Sequence, residues 1–121
     1  MRYPKITLLG EPKSTQHIYK ITCRPFPSLY LTPEGKAIKE DYAWQGKSQW
    51  RGLKPIDVPL GLTVNIYHKT KRKQDLDNFN KLWQDGLNRI CYTDDNLIQE
   101  MHLFKHHDPL SPRIEIDFFL V

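Results

Sequence analysis

Residues 60–90 read LGLTVNIYHKTKRKQDLDNFNKLWQDGLNRI, and their hydrophobic period changes partway along. Leu60, Leu62, Val64 and Ile66 alternate with Gly61, Thr63, Asn65 and Tyr67, the period of two that marks a strand with one face in a core. From Asp77 to about Arg89 the pattern becomes helical, with Phe79, Leu82, Trp83, Leu87 and Ile90 forming an apolar stripe. Asp77, Lys81 and Asp85, spaced i, i+4 and i+8, mark the polar side of that helix. The stretch between strand and helix is basic, carrying Lys69, Lys71, Arg72 and Lys73.

Outward from this segment, Pro and Gly mark the joints. Tyr3–Leu9 reads as a first strand closed by Gly10-Glu11-Pro12, and Ile18–Cys23 and Ser28–Leu31 as short strands on either side of Arg24-Pro25-Phe26-Pro27. Thr32-Pro33-Glu34 supplies a hydroxyl N-cap, a proline at the first helical position and a first-turn acid, predicting a helix over Pro33–Ser48. Leu97–Lys105 and Arg113–Leu120 read as the last two strands, the second turning Ile114, Ile116, Phe118 and Leu120 to one face. The expectation is a small α+β fold, a mixed sheet packed with two helices in a single domain over residues 1–121.

At 121 residues the chain can bury roughly two-thirds of its unfolded surface. Hydrophobic residues make up 39% and no apolar run approaches a membrane span, so the expected protein is globular, cytoplasmic and without membrane contact. Cys23 and Cys91 have no CxxC partner, which points to core thiols rather than a disulfide framework or zinc cluster. Charge is unevenly placed: residues 1–73 carry 14 basic and 5 acidic side chains, residues 74–121 carry 4 and 9. A basic body beside an acidic segment suits a polyanionic ligand and a held cation.

The chemistry concentrates in residues 68–95. Acids at a helix N-terminus can simply cap it. Asp75 and Asp77 two positions apart, with Asp94-Asp95 in a later turn, exceed what capping needs, and like charges gathered together repel unless a cation holds them. All-oxygen ligands select Mg²⁺, with Mn²⁺ a plausible substitute, and Mg²⁺ typically shares its shell with phosphate oxygens, as phosphodiester hydrolysis requires. Lys81 either neutralises charge developing at the phosphate or serves as an ordinary ion-pair partner of Asp77 and Asp85. An EF-hand does not fit, since Phe79 falls on a ligand position and no Gly occupies the sixth place.

Asp75-Leu76-Asp77-Asn78, Lys81, Asp85-Gly86-Leu87 and Asp94-Asp95 with Ile98 and Lys105, together with Ile6-Thr7-Leu8, Gly10-Glu11-Pro12-Lys13-Ser14 and Leu31-Thr32-Pro33-Glu34-Gly35-Lys36, resemble the RusA family of Holliday junction resolvases. The resemblance implies a Mg²⁺-dependent, structure-selective endonuclease that works as a homodimer, cuts four-way DNA junctions by paired incisions and is often carried by phages and prophages. It makes Asp75, Asp77 and Asp95 the catalytic, metal-binding carboxylates, with Asp94 a further possible ligand, Lys81 the basic partner and Asn78 an orienting residue. Lys69, Lys71, Arg72, Lys73, Lys13, His17 and Lys20 are the candidate DNA contacts, with Lys36, Lys39 and Lys47 as further ones.

Among the aromatics, Trp83 is expected in the core and Trp50 exposed enough to stack on a base. His106-His107-Asp108 reads as a solvated turn before Pro109. Phe118–Val121 and the helix bearing Tyr42 and Trp44 are candidate dimer surfaces. Two rivals share these residues: a Mg²⁺ nuclease acting on other branched or duplex DNA, and a non-catalytic DNA-binding module.

A helix over residues 77–89 spans ~18 Å, and the six steps from Arg89 to Asp95 return at most ~20 Å. The helix must therefore end near Gly86, the chain must double back along it, or Asp95 must complete a partner's site; a same-chain site is the expectation. Mixed dimers of an Asp75→Asn chain and an Asp95→Asn chain should then stay inactive in a junction-cleavage assay, and recovered cleavage would place the two acids on different subunits.

Overall fold

The computed structural model describes residues 2–13, 19–22, 28–71 and 79–121. Its elements are β1 (Ile6–Leu9), β2 (Tyr19–Thr22), β3 (Ser28–Leu31), α1 (Pro33–Trp50), β4 (Leu60–His68), α2 (Lys81–Leu87), a 3-10 turn (Asp95–Leu97), β5 (Ile98–His107) and β6 (Arg113–Leu120). Four strands form one mixed sheet in the order β1-β6-β4-β5, and β2 and β3 make a separate antiparallel ribbon. β6 runs antiparallel to both β1 and β4, whereas β4 and β5 are parallel, with Leu60 opposite Ile98 and His68 opposite His107. This is the α+β class the hydrophobic periods call for.

Alternation decides which face is covered. Ile6, Leu8, Leu60, Leu62, Val64, Ile66, Ile114 and Ile116 are buried on one face, in one cluster with Tyr42 and Trp50 of α1 and Leu82, Trp83 and Leu87 of α2. The opposite face stays open, and Tyr67 there stacks on His106 (4.5 Å between rings) and lies under the Arg113 guanidinium, 3.7 Å from its centroid. Arg113 also pairs with Asp108 (2.8 Å) and Glu115 (2.7 Å). Both carboxyls are thereby held below their ordinary range, for Asp108 chiefly by the Arg113 hydrogen bond and for Glu115 by that bond overcoming burial.

Several boundaries differ from expectation for identifiable reasons. β1 starts at Ile6 rather than Tyr3, because Pro4 has no N–H to donate and Tyr3 instead stacks on Trp50 at 5.7 Å. α1 starts as foreseen, with the Thr32 hydroxyl accepting from Gly35 N, but runs on to Trp50, where Arg51 (φ 59°) and Gly52 (φ 72°) turn left-handed. Trp50 is 2% exposed and packs edge-on against Phe118, so no base can stack on it; Trp83 is buried as foreseen, and Trp44 is the exposed indole at 72%. β5 continues two residues past Lys105, so His106 and His107 are strand residues paired with Tyr67 and His68 rather than a turn. Leu120, at the end of β6, is exposed rather than core. Cys91 is buried, with its thiol pushed up to about 12 by that burial, while Cys23 lies outside the described residues.

One device had no sequence signal. β1 is an edge strand, and the amides of Gln45 and Gln49 on α1 pair with its outer backbone: Thr7 N donates to Gln49 Oε1 (2.6 Å) while Gln49 Nε2 donates to Thr7 O (2.7 Å). Gln45 treats Leu9 in the same way, at 2.7 and 3.3 Å. Four helical residues advance ~6 Å and two strand residues ~6.6 Å, so the two ladders match. The double variant Gln45→Ala/Gln49→Ala removes the four hydrogen bonds to β1 and an exposed one from Gln45 to Asp41; its urea unfolding should show a loss of about 2–4 kcal/mol, with faster amide exchange confined to Thr7 and Leu9.

Candidate active site

All the described acids of the proposed site sit on the connection between the parallel strands β4 and β5. α2 is only seven residues long, beginning at Lys81 and ending at Leu87, shorter than the stretch to Arg89 that the pattern suggests. Its end is set by a competing partner. Asn88 is extended and Arg89 left-handed (φ 69°), and the chain drops to pair with the Ile56 loop through Ile56 N to Cys91 O (2.9 Å) and Thr93 N to Ile56 O (3.0 Å). The chain therefore ends α2 near Gly86 and doubles back after it, two of the three arrangements the closure argument allowed. Asp77 and Asn78 lie outside the described residues.

Gly86 makes the close approach of the two helices possible, since a Cβ there would meet Lys39 O at 3.2 Å and Tyr42 Cβ at 3.3 Å. Trp83 Nε1 donates to Asn80 Oδ1 (3.2 Å), anchoring the start of α2. Lys81 Nζ pairs with Asp85 Oδ2 (3.2 Å), one turn along. Asp94 caps the 3-10 turn by accepting from Asn96 N (3.1 Å).

Asp95, half-buried behind Asp94, is where these elements converge. Its carboxyl is held above its ordinary range by burial, by a hydrogen bond to Asp94 and by the charges of Asp94 and Asp85, with Lys81 opposing. One short segment of chain thus brings Lys81, Asp85, Asp94 and Asp95 within electrostatic reach of one another. Tyr92 lies beneath them, buried, its hydroxyl donating to Gln84 O (2.7 Å); burial first, then Cys91, Asp95 and Asp85, drive its phenol far up, so it stays neutral. Asp85 was foreseen as an ion-pair partner of Lys81, and the pair is present. Tyr92 was not foreseen as a support, because the chain reversal that places it is held by Ile56, more than 30 residues upstream.

The donors are oxygens, the type that suits a hard divalent cation, and burial first, then the Asp94 hydrogen bond and the charges of Asp94 and Asp85, raise the Asp95 carboxyl against Lys81. Among the described residues no group of three His, Cys, Asp or Glu stands close enough to hold a metal ion. Asp75 and Asp77 lie outside the described residues, as do Arg72, Lys73 and His17; Lys20 is described in backbone only. Lys13 is half-buried, and Lys69 and Lys71 are exposed. Lys69 follows the C-terminal end of β4, its carbonyl 3.2 Å from His107 Nε2, whereas Asp95 precedes β5 at the other end. Eight residue steps, ~26 Å of strand, separate the two ends of the pair, so the structure does not group Lys69 with Asp95. Among the described residues no helix is long and apolar enough to cross a membrane.

A family model described as Endodeoxyribonuclease RusA matches residues 10–118, nearly the whole chain. No curated protein matches it.

Because the folded state raises the Asp95 carboxyl above its ordinary 3.8, the ionised group opposes folding. The cost is absent below the unfolded pKa and grows as pH rises through the folded one. Asp95→Asn should therefore be more stable than the parent in urea at pH 7 without divalent ions, and the gain should vanish near pH 3 and shrink when Mg²⁺ is added.

Proposed function

The chain belongs to the RusA family of endodeoxyribonucleases, which resolve Holliday junctions, and on that premise we propose that it cuts four-way DNA junctions by Mg²⁺-dependent paired incisions, two copies acting as a homodimer in the bacterial cytoplasm. The observation that supports the metal-dependent reading is the convergence of Asp85, Asp94 and Asp95 with Lys81 on the β4–β5 connection, inside the matched segment.

Asp75, Asp77 and Asp95 hold the divalent cation, Mg²⁺ or in its place Mn²⁺. When bound, the cation polarises the scissile phosphate and lowers the pKa of a water to supply the nucleophile. Asp94 is already engaged in capping its own turn, which leaves Asp95 as the better ligand of the pair. Lys81, exposed and tethered to Asp85, presents its ammonium to the phosphate and neutralises charge that builds on the leaving oxygen. Asp85 holds that ammonium on the helix face it shares. The neutral Tyr92 closes the floor against water.

The remaining basic residues position the substrate without identifying bases. Lys69 contacts backbone phosphates on a part of the junction away from Asp95, and Lys71, Arg72, Lys73, Lys13, His17 and Lys20 contact others. A C₂ pair of such sites matches the two equivalent strands of a four-way junction.

The test is cleavage of an end-labelled synthetic junction with and without Mg²⁺ against excess linear duplex. Symmetric paired nicks that need the ion are expected. Asp75→Asn and Asp95→Asn should each slow them by about a thousandfold, the rate equivalent of the several kcal/mol that a metal's charge supplies. Asp94→Asn should retain most activity, and both silent variants should bind the junction as tightly as the parent. Cutting of linear duplex at equal rate would instead identify a general nuclease, and binding without any cutting a DNA-binding module.

A further inference from the structure

The flank of α1 that borders α2 carries a basic stripe that the proposed cleavage chemistry does not use. Lys36, Lys39, Ala43 and Lys47 recur at helical spacing along the boundary between the buried side of the helix and solvent, with Lys39 and Ala43 half-buried next to Gly86, and Trp44 lies on the adjoining open side at 72% exposure. Two hollows run along this stripe. The first, about 390 Å³, is lined by Lys36, Lys39, Glu40, Ala43 and Gly86, with Leu31 at its end. The second, about 210 Å³, adjoins it at Glu40 and Ala43 and is closed by Trp44, Lys47 and Ile90.

Position gives this groove its meaning. Gly86 on its floor belongs to α2, the same short helix that carries the Lys81–Asp85 pair, so one helix lines the groove with one face and bears Asp85 on another. Lys36 to Lys47 extends ~16 Å along the helix axis, about the axial length of four to five base pairs. The lining holds three lysines against one glutamate, so the occupant it favours is an anion. At the far end the Trp44 ring has Lys47 Nζ 6.0 Å from its centroid, which leaves most of the indole open. A second copy docked on this face about a two-fold axis would set lysines against lysines, which disfavours the face as a dimer contact.

We infer that this groove is a second DNA contact: Lys36, Lys39 and Lys47 hold backbone phosphates of the strand leaving the cleavage site, and Trp44 stacks on a base unpaired at the branch point. The inference rests on the junction-cutting reading and adds the path the DNA takes past α1.

Fluorescence tests it on the full-length protein, in an Asp95→Asn background that binds without cutting. Trp50 and Trp83 are buried, so quenching by a four-way junction reports Trp44. The junction should quench emission; Trp44→Ala should lose the quench and bind about tenfold more weakly, Trp44→Phe should bind nearly as well as the parent, and Lys36→Gln/Lys39→Gln should lower the slope of log affinity against log salt by about two. Unchanged affinity and salt slope in these variants, while the parent still cuts junctions, overturns the inference and leaves the resolvase reading intact. A Trp44→Ala chain that turns monomeric in light scattering without DNA also overturns it, assigning the face to a second copy. Quenching by DNA in a protein whose parent never cuts junctions would uphold the groove and sink the resolvase reading.

Discussion

The parallel pairing of β4 with β5 is the constraint from which the rest of the molecule follows. Antiparallel neighbours can be joined by a tight turn, but parallel neighbours oblige the chain to travel back the length of the sheet before starting again. Here the return path is residues 69–97, and every acid proposed for the chemistry lies on it. The strands fix the two ends of that path; α2 and the Ile56 pairing fix its course. The sheet is thus a frame for one connection, and the proposed catalytic apparatus is that connection.

Packing and function compete along it. A longer α2 would carry Asp85 and Asp95 apart, and the chain instead accepts a left-handed Arg89 and an extended Asn88 in exchange for backbone bonds to Ile56. Asp95 is then set where burial and two neighbouring carboxylates disfavour its charge. A small domain has little stability to spare, and the ionised Asp95 opposes folding, a cost that the proposed cation would offset.

Much of the fold was legible because its signals are periodic. The alternation over Leu60–Tyr67, the Thr32-Pro33 helix start and the Arg113–Leu120 strand appear in the structure nearly as read, since each depends on local spacing and on one buried face. The family was legible from the spacing of Asp75, Asp77, Lys81 and Asp94-Asp95, which the RusA match supports. Trp50 was misjudged because neighbouring Arg51 and Gly52 suggest exposure, whereas its burial is decided by Tyr3 and Phe118, both distant in sequence. The length of α2, the support from Tyr92 and the Gln45/Gln49 clamp were hidden for the same reason: each is settled by a contact between segments tens of residues apart.

The glutamine clamp has a consequence for the whole sheet. An edge strand is normally an invitation to any other strand, and unguarded edges are how sheets grow without limit. With the outer backbone of β1 occupied by its own helix, growth is blocked on that side, and among the described residues β5 is the margin of the four-stranded sheet that carries no such clamp. A sheet of that kind has a polarity of assembly: joining at β5 uses up the free margin of both partners, so association by strand addition terminates at two and cannot propagate into a fibre.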